Sequence, residues 1–184
     1  MPNPERAIGS LLVLGGARSG KSRYAQKLAE ASGLRPVLIA TAQAHDAEMA
    51  LRIARHAASR DPRWTLVEEP VALAVALRRE ARKDRIIVID CATLWLSNLI
   101  LKNDDLAAAT QDLVQSVAGL AGPVILVSNE AGCGIVPENA LARAFRDAQG
   151  LLNQALAEAC EAVVSVNAGI ALCLKPSPEP NFRF

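Results

Sequence analysis

Gly15-Gly16-Ala17-Arg18-Ser19-Gly20-Lys21-Ser22 has the G-x-x-x-x-G-K-[ST] spacing of a phosphate-binding loop. That spacing has a physical cause. Its glycines let the backbone fold into a nest whose N–H groups point at phosphate oxygens, its lysine reaches the β- and γ-phosphates, and its last hydroxyl can hold Mg²⁺. The flanks fit: Leu11-Leu12-Val13-Leu14 is a short apolar strand running into the loop, and Arg23 to Glu30 reads as a helix whose dipole adds to the attraction for anions. A chance glycine-rich turn would require this whole strand–loop–helix context to be coincidence.

Outward from the loop, apolar runs alternate with helical patterns. Pro36 to Thr41, Trp64 to Glu68, Ile86 to Asp90, Pro123 to Ser128, Val163 to Val166 and Ala171 to Leu174 read as strands. Between them, helices are expected after the phosphate loop, over Asp46 to Arg60, from Glu69-Pro70 to about Arg82, over Thr93 to Leu101, over Asp104 to Gly119 and over Ala140 to Glu161. Such alternation argues for a mostly parallel sheet with helices on both faces. The fold class is therefore α/β, a P-loop NTPase-type domain spanning residues 1–184, with 1–9 a frayed lead-in and 176–184 an extended tail.

Composition narrows the partners. A chain of 184 residues with net charge +1 has no global pull toward nucleic acid or an anionic membrane. The basic run Arg78 to Lys83 is broken by Glu80 and lacks aromatics, as a solvated helix face does. Four scattered cysteines (Cys91, Cys133, Cys160 and Cys173) and two histidines suggest neither a zinc site nor a disulfide framework. With no signal segment and no apolar run near the roughly 18 residues of a membrane span, a cytoplasmic protein without a membrane span is expected.

Further candidates cluster at strand ends, where open α/β sheets bind ligands. Thr41, Ala42 and Gln43 follow the second strand and are candidate ligand contacts, or a solvated turn. Asp90 ends a strand of four β-branched residues, as the acid that reaches the Mg²⁺ of a bound nucleotide does; the alternative is a cap on the next helix. His56 shares a helix face with Met49 and Ile53 and has Arg52 and Arg60 four residues to either side. Two guanidiniums beside an imidazole disfavour its protonation and could receive phosphates, which suits attack on phosphorus; a partly solvated histidine is the plainer alternative.

Taken together, these stretches resemble one family: the bifunctional adenosylcobinamide kinase / adenosylcobinamide-phosphate guanylyltransferases of cobalamin biosynthesis. The resemblance spans about residues 10 to 175. Beyond the phosphate loop, it rests on Arg52-Ile53-Ala54-Arg55-His56, Trp64 with Glu68-Glu69-Pro70, Asp90 to Asn98, and Asn129-Glu130 through Gly134-Ile135-Val136-Pro137-Glu138-Asn139. It implies phosphorylation of the cobinamide hydroxyl by ATP or GTP. His56 would then attack the α-phosphate of GTP, and the GMP–histidine would pass GMP to adenosylcobinamide phosphate. It also implies that Gly15 to Ser22, Thr41, Ala42, Gln43, Ala57, Ala58, Ser59, Arg60, Glu68 and Asp90 contact nucleotide. Mg²⁺ would be held by Ser22 and Asp90, with no permanently bound cofactor, in a homotrimer. The competing readings are a P-loop small-molecule kinase without a covalent intermediate, and a non-catalytic GTP-dependent switch. Against the switch, no N-K-x-D motif is present and no D-x-x-G pattern starts at Asp90.

Overall fold

A computed structural model of the chain describes residues 8–43 and 61–176. The strands are β1 (Ser10–Leu14), β2 (Arg35–Ala40), β3 (Thr65–Glu68), β4 (Arg85–Asp90), β5 (Val124–Val127), β6 (Ala162–Asn167) and β7 (Ile170–Lys175). The helices are α1 (Lys21–Ala31), α2 (Leu73–Glu80), α3 (Ala92–Lys102), α4 (Leu106–Ala118) and α5 (Ala140–Ala159). They build one seven-stranded sheet in the order β3-β2-β4-β5-β1-β6-β7. Every pairing is parallel except β6 with β7, a hairpin that closes one edge.

Period-two alternation along buried strands sorts the core into two layers. Leu12, Val37, Ile39, Ile87, Ile89, Leu126 and Val163 face one side and pack against α2, α3, α4 and α5 through Leu77, Trp95, Leu96, Leu113, Leu152 and Leu156. Leu11, Val13, Leu38, Val88, Ile125 and Val164 face the other, beneath Ala25 and Ala29 of α1. Both faces are covered, which is why these strands read as unbroken apolar runs.

Local chemistry sets the helix ends. Asp105 caps α4 by accepting from the N–H groups of Ala107 and Ala108, both at 3.0 Å, and Asn139 caps α5 through Leu141 and Ala142. α1 stops at Ser32, followed by Gly33 at φ +73°. α2 departs from the sequence expectation, since it starts at Leu73 rather than at Glu69-Pro70 and ends at Glu80 rather than near Arg82. The reason is Glu69: its carboxylate accepts from the N–H groups of Val71 and Ala72, holding that segment in a turn. The expected helix over Asp46 to Arg60, with His56, lies outside the described residues, as do most of the lead-in and the tail beyond Pro176.

Candidate active site

Six strands run parallel, so their carboxyl ends share one edge of the sheet. Along it lie Glu68 at the end of β3, Thr41 to Gln43 after β2, Asp90 at the end of β4, Ser128 to Glu130 after β5, Gly15 to Ser22 after β1 and Asn167 at the end of β6. At about 4.8 Å per strand, the three strands that lie between β3 and β1 put Glu68 roughly 19 Å from the phosphate loop. Among the described residues the strand ends thus form an extended ridge.

The loop itself is tightly determined. Gly15 has φ +146°, and a Cβ there would lie 2.3 Å from the carbonyl oxygen of Val166, so only glycine lets β1 turn beside β6. Gly20, at φ +101°, precedes α1 with no side-chain cap, leaving the first N–H groups of that helix to face the loop. Lys21 is buried, and its Nζ donates to the carbonyl of Gly16 at 2.6 Å, which folds the ammonium back over the loop. Ser19 keeps a buried hydroxyl without a hydrogen-bond partner among the described residues, while its carbonyl accepts from Gly169 N–H at 2.8 Å. The turn of the β6–β7 hairpin therefore seats the phosphate loop from below, a contact that no sequence pattern signalled.

Thr41 is fully buried, and its hydroxyl donates to the Cys91 carbonyl at 2.7 Å while accepting from Cys91 N–H at 3.0 Å. Its side chain thus joins the end of β2 to the end of β4 and is spent on that task. Asn98 of α3 adds to the joint by donating to the carbonyls of Thr41 and Pro70, at 2.8 and 3.0 Å. Ala42 and Gln43 are half-buried, Asp90 is half-buried and Glu68 is exposed. His56 and Ala57, Ala58, Ser59 and Arg60 lie outside the described residues, in the segment that leaves this edge at Gln43.

A second polar cluster sits under the end of β5. Ser128, fully buried, donates to Asn153 Oδ1 at 2.7 Å and accepts from Gln149 Nε2 at 3.0 Å. Asn153 Nδ2 donates to the Asn129 carbonyl at 3.0 Å, and Asn129 N–H donates to Thr93 Oγ1 at 2.8 Å. Glu130 N–H reaches the Gly15 carbonyl at 3.2 Å, so the cluster is coupled to the phosphate loop. Sequence reading missed Ser128 and Gln149. The available signal was Gln149 and Asn153, a polar i, i+4 pair set among Leu152 and Leu156 of α5.

Two chemistries converge on this edge: a phosphate nest with a lysine, and an aspartate two strands away on the same ridge. A family model described as cobinamide kinase / cobinamide phosphate guanyltransferase matches residues 11–174. The chain belongs to this family. It is similar to the bifunctional adenosylcobalamin biosynthesis protein CobP of Pseudomonas aeruginosa, 50% identical over 91% of this chain and 98% of the relative. It is also similar to the CobU proteins of Salmonella typhimurium and Escherichia coli, at 39% and 37% identity, each over 90% of this chain and 99% of the relative. Among solved structures, a Pyrococcus horikoshii protein matches with TM-score 0.51 at 11% identity, covering 95% of this chain and 90% of that one, a likeness of fold alone. Family membership makes the chain an enzyme of nucleotide-dependent transfer, a cobinamide kinase and cobinamide phosphate guanylyltransferase.

Proposed function

We propose that this enzyme phosphorylates adenosylcobinamide with ATP or GTP and then, through a GMP–histidine intermediate on His56, transfers GMP from GTP to adenosylcobinamide phosphate. The products are adenosylcobinamide-GDP and pyrophosphate. The observation that carries the reading is the phosphate loop seated at the sheet edge within a family match covering residues 11–174.

The roles follow from physical chemistry. Gly15, Gly16, Ala17, Arg18, Ser19 and Gly20 surround the phosphates with backbone N–H groups, and Lys21 supplies the cation. The residues present suit a Mg²⁺–nucleotide: the Ser19 hydroxyl in the loop is a buried polar group with no hydrogen-bond partner among the described residues. Ser22 and Asp90 are the oxygens that would hold the ion. Bound there, Mg²⁺ would neutralise phosphate charge. Ala42 and Gln43 line the nucleotide site, Glu68 contacts nucleotide further along the ridge, and Thr41 holds its backbone through Cys91. Ala57, Ala58, Ser59 and Arg60 follow the nucleophile and contact GTP. Splitting guanylyl transfer into two displacements replaces an encounter between two anions with attack by a positioned imidazole. We further place the enzyme in the cytoplasm as a homo-oligomer, a trimer by family resemblance; no described helix is long and apolar enough to cross a membrane.

The test is incubation with Mg²⁺ and GTP labelled at the α-phosphate, followed by a denaturing gel. Acid-labile, alkali-stable label on the wild type and none on His56→Ala is the expected result. Absence of label on a wild type that binds GTP would move the reading to a kinase without a covalent intermediate.

A further inference from the structure

We propose that Asn129 is a catalytic residue of the kinase step, its carboxamide donating a hydrogen bond to the phosphoryl group in transfer. The inference rests on the reading that Gly15 to Ser22 hold the donor triphosphate, and it assigns a residue which that reading leaves without a role.

Strand order supplies the placement. β5 lies between β1, which feeds the phosphate loop, and β4, which ends in Asp90, with Val127 in register with both Val13 and Asp90. Asn129 therefore leaves the sheet between the phosphate loop and the aspartate, about one strand spacing of ~4.8 Å from either strand.

Its backbone is held on every side. Ser128 N–H donates to Val13 O at 2.9 Å, Asn129 N–H to Thr93 Oγ1 at 2.8 Å, and Glu130 N–H to Gly15 O at 3.2 Å, while Asn129 O accepts from Asn153 Nδ2 at 3.0 Å. Gln149, only 1% exposed, supports Ser128 and Asn153 at 3.0 and 2.9 Å and leaves its own Oε1 without a partner among the described residues. A buried polar cluster with an unsatisfied acceptor is a costly way to end a strand. What it achieves is to fix a residue whose side chain it does not use: Asn129 is half-buried, and its carboxamide makes no hydrogen bond among the described residues.

The chemistry asks for such a group. In the kinase step the acceptor oxygen bonds to the γ-phosphorus as the bridging P–O bond breaks; the electron pair leaves on the nucleoside diphosphate and the hydroxyl proton passes to water. Asn129 adds no covalent step. Charge spreads over the equatorial oxygens, and a donor already in place stabilises it without reorganisation. The hydroxyls of Thr93 and Ser128 are engaged in the cluster, and the neighbouring Glu130 is an exposed carboxylate that would repel phosphate. Asn129 is the neutral donor at this place.

The full-length enzyme would be assayed as wild type, Asn129→Ala, Asn129→Asp and Lys21→Ala for kinase kcat, nucleotide Kd and melting temperature. The expected result is a kcat loss on the order of 100- to 1,000-fold in both Asn129 variants, with Kd changed less than about threefold in Asn129→Ala. Asn129→Asp keeps the size and loses the donor, so it reads the same point should the alanine variant fail to fold. Kinase kcat within about threefold of wild type would overturn the proposal, as would losses of kcat, affinity and melting temperature in step, the mark of a purely structural residue. Lys21→Ala separates the two levels. If it retains affinity and rate, the phosphate-loop reading itself falls; if it loses them while the Asn129 variants stay active, only the role of Asn129 does.

Discussion

At Gly15 a single methyl group decides whether the phosphate loop can form. A Cβ would meet the Val166 carbonyl at 2.3 Å, in a backbone at φ +146° that side chains rarely adopt. Gly15→Ala is expected to cost about 1–3 kcal/mol of stability, the scale of local backbone strain. It should also weaken nucleotide binding, because the loop must shift off β6; calorimetric titration with GTP checks this. Thr41 is the second such residue. Thr41→Val keeps the shape and strips both hydrogen bonds from the Cys91 backbone, with an expected cost of about 1–3 kcal/mol in a denaturant melt. Its effect on nucleotide affinity should be indirect, since the hydroxyl is turned inward.

Elements act here as supports for those residues. α5 carries Gln149 and Asn153 to the end of β5, so Asn153→Ala removes the acceptor for the Ser128 hydroxyl and the donor to the Asn129 carbonyl. We expect about 1–3 kcal/mol of destabilisation and a reduced kinase rate in the same variant, measured by urea titration and steady-state assay. Thiol chemistry reads element packing in another way. Cys91, before α3, is pushed up to about 11 by burial and by the Asp90 carboxylate, and Cys160, after α5, is pushed up to about 12 chiefly by burial. Cys133 and Cys173 are exposed. At pH 8 the buried pair stays protonated and shielded, so a thiol reagent should react with the two exposed cysteines in the native enzyme and with all four after unfolding.

Across the whole molecule, ligand binding at one edge should stabilise the entire sheet, because β1, β4 and β5 are both the core and the supports of the site. Mg²⁺–GTP at a hundred times its Kd is expected to add about 2.7 kcal/mol, seen as a rise in melting temperature that Lys21→Ala abolishes. Leu126 is fully buried in β5, between the two halves of the ridge. Leu126→Ala should cost about 2–5 kcal/mol and show the same unfolding midpoint by all probes, as one cooperative sheet requires.

The amino-acid sequence by itself determined the elements and their class. Unbroken apolar runs, the glycine spacing of residues 15 to 22 and the β-branched run into Asp90 are local chemistry, legible without neighbours. Family motifs, also local, were enough to identify the reaction. The helix α2 start was not legible, because Glu69 folds back on Val71 and Ala72 in a way that competes with helix. Only the tertiary structure decided which strand ends are adjacent. Strand order set β5 between the phosphate loop and Asp90, turned Thr41 inward, seated Ser19 on Gly169 and put Asn129 at the strand end between loop and aspartate. Those contacts join residues dozens to more than a hundred positions apart. Sequence periodicity reports which face of an element is apolar, whereas adjacency depends on how the faces of distant elements pack together.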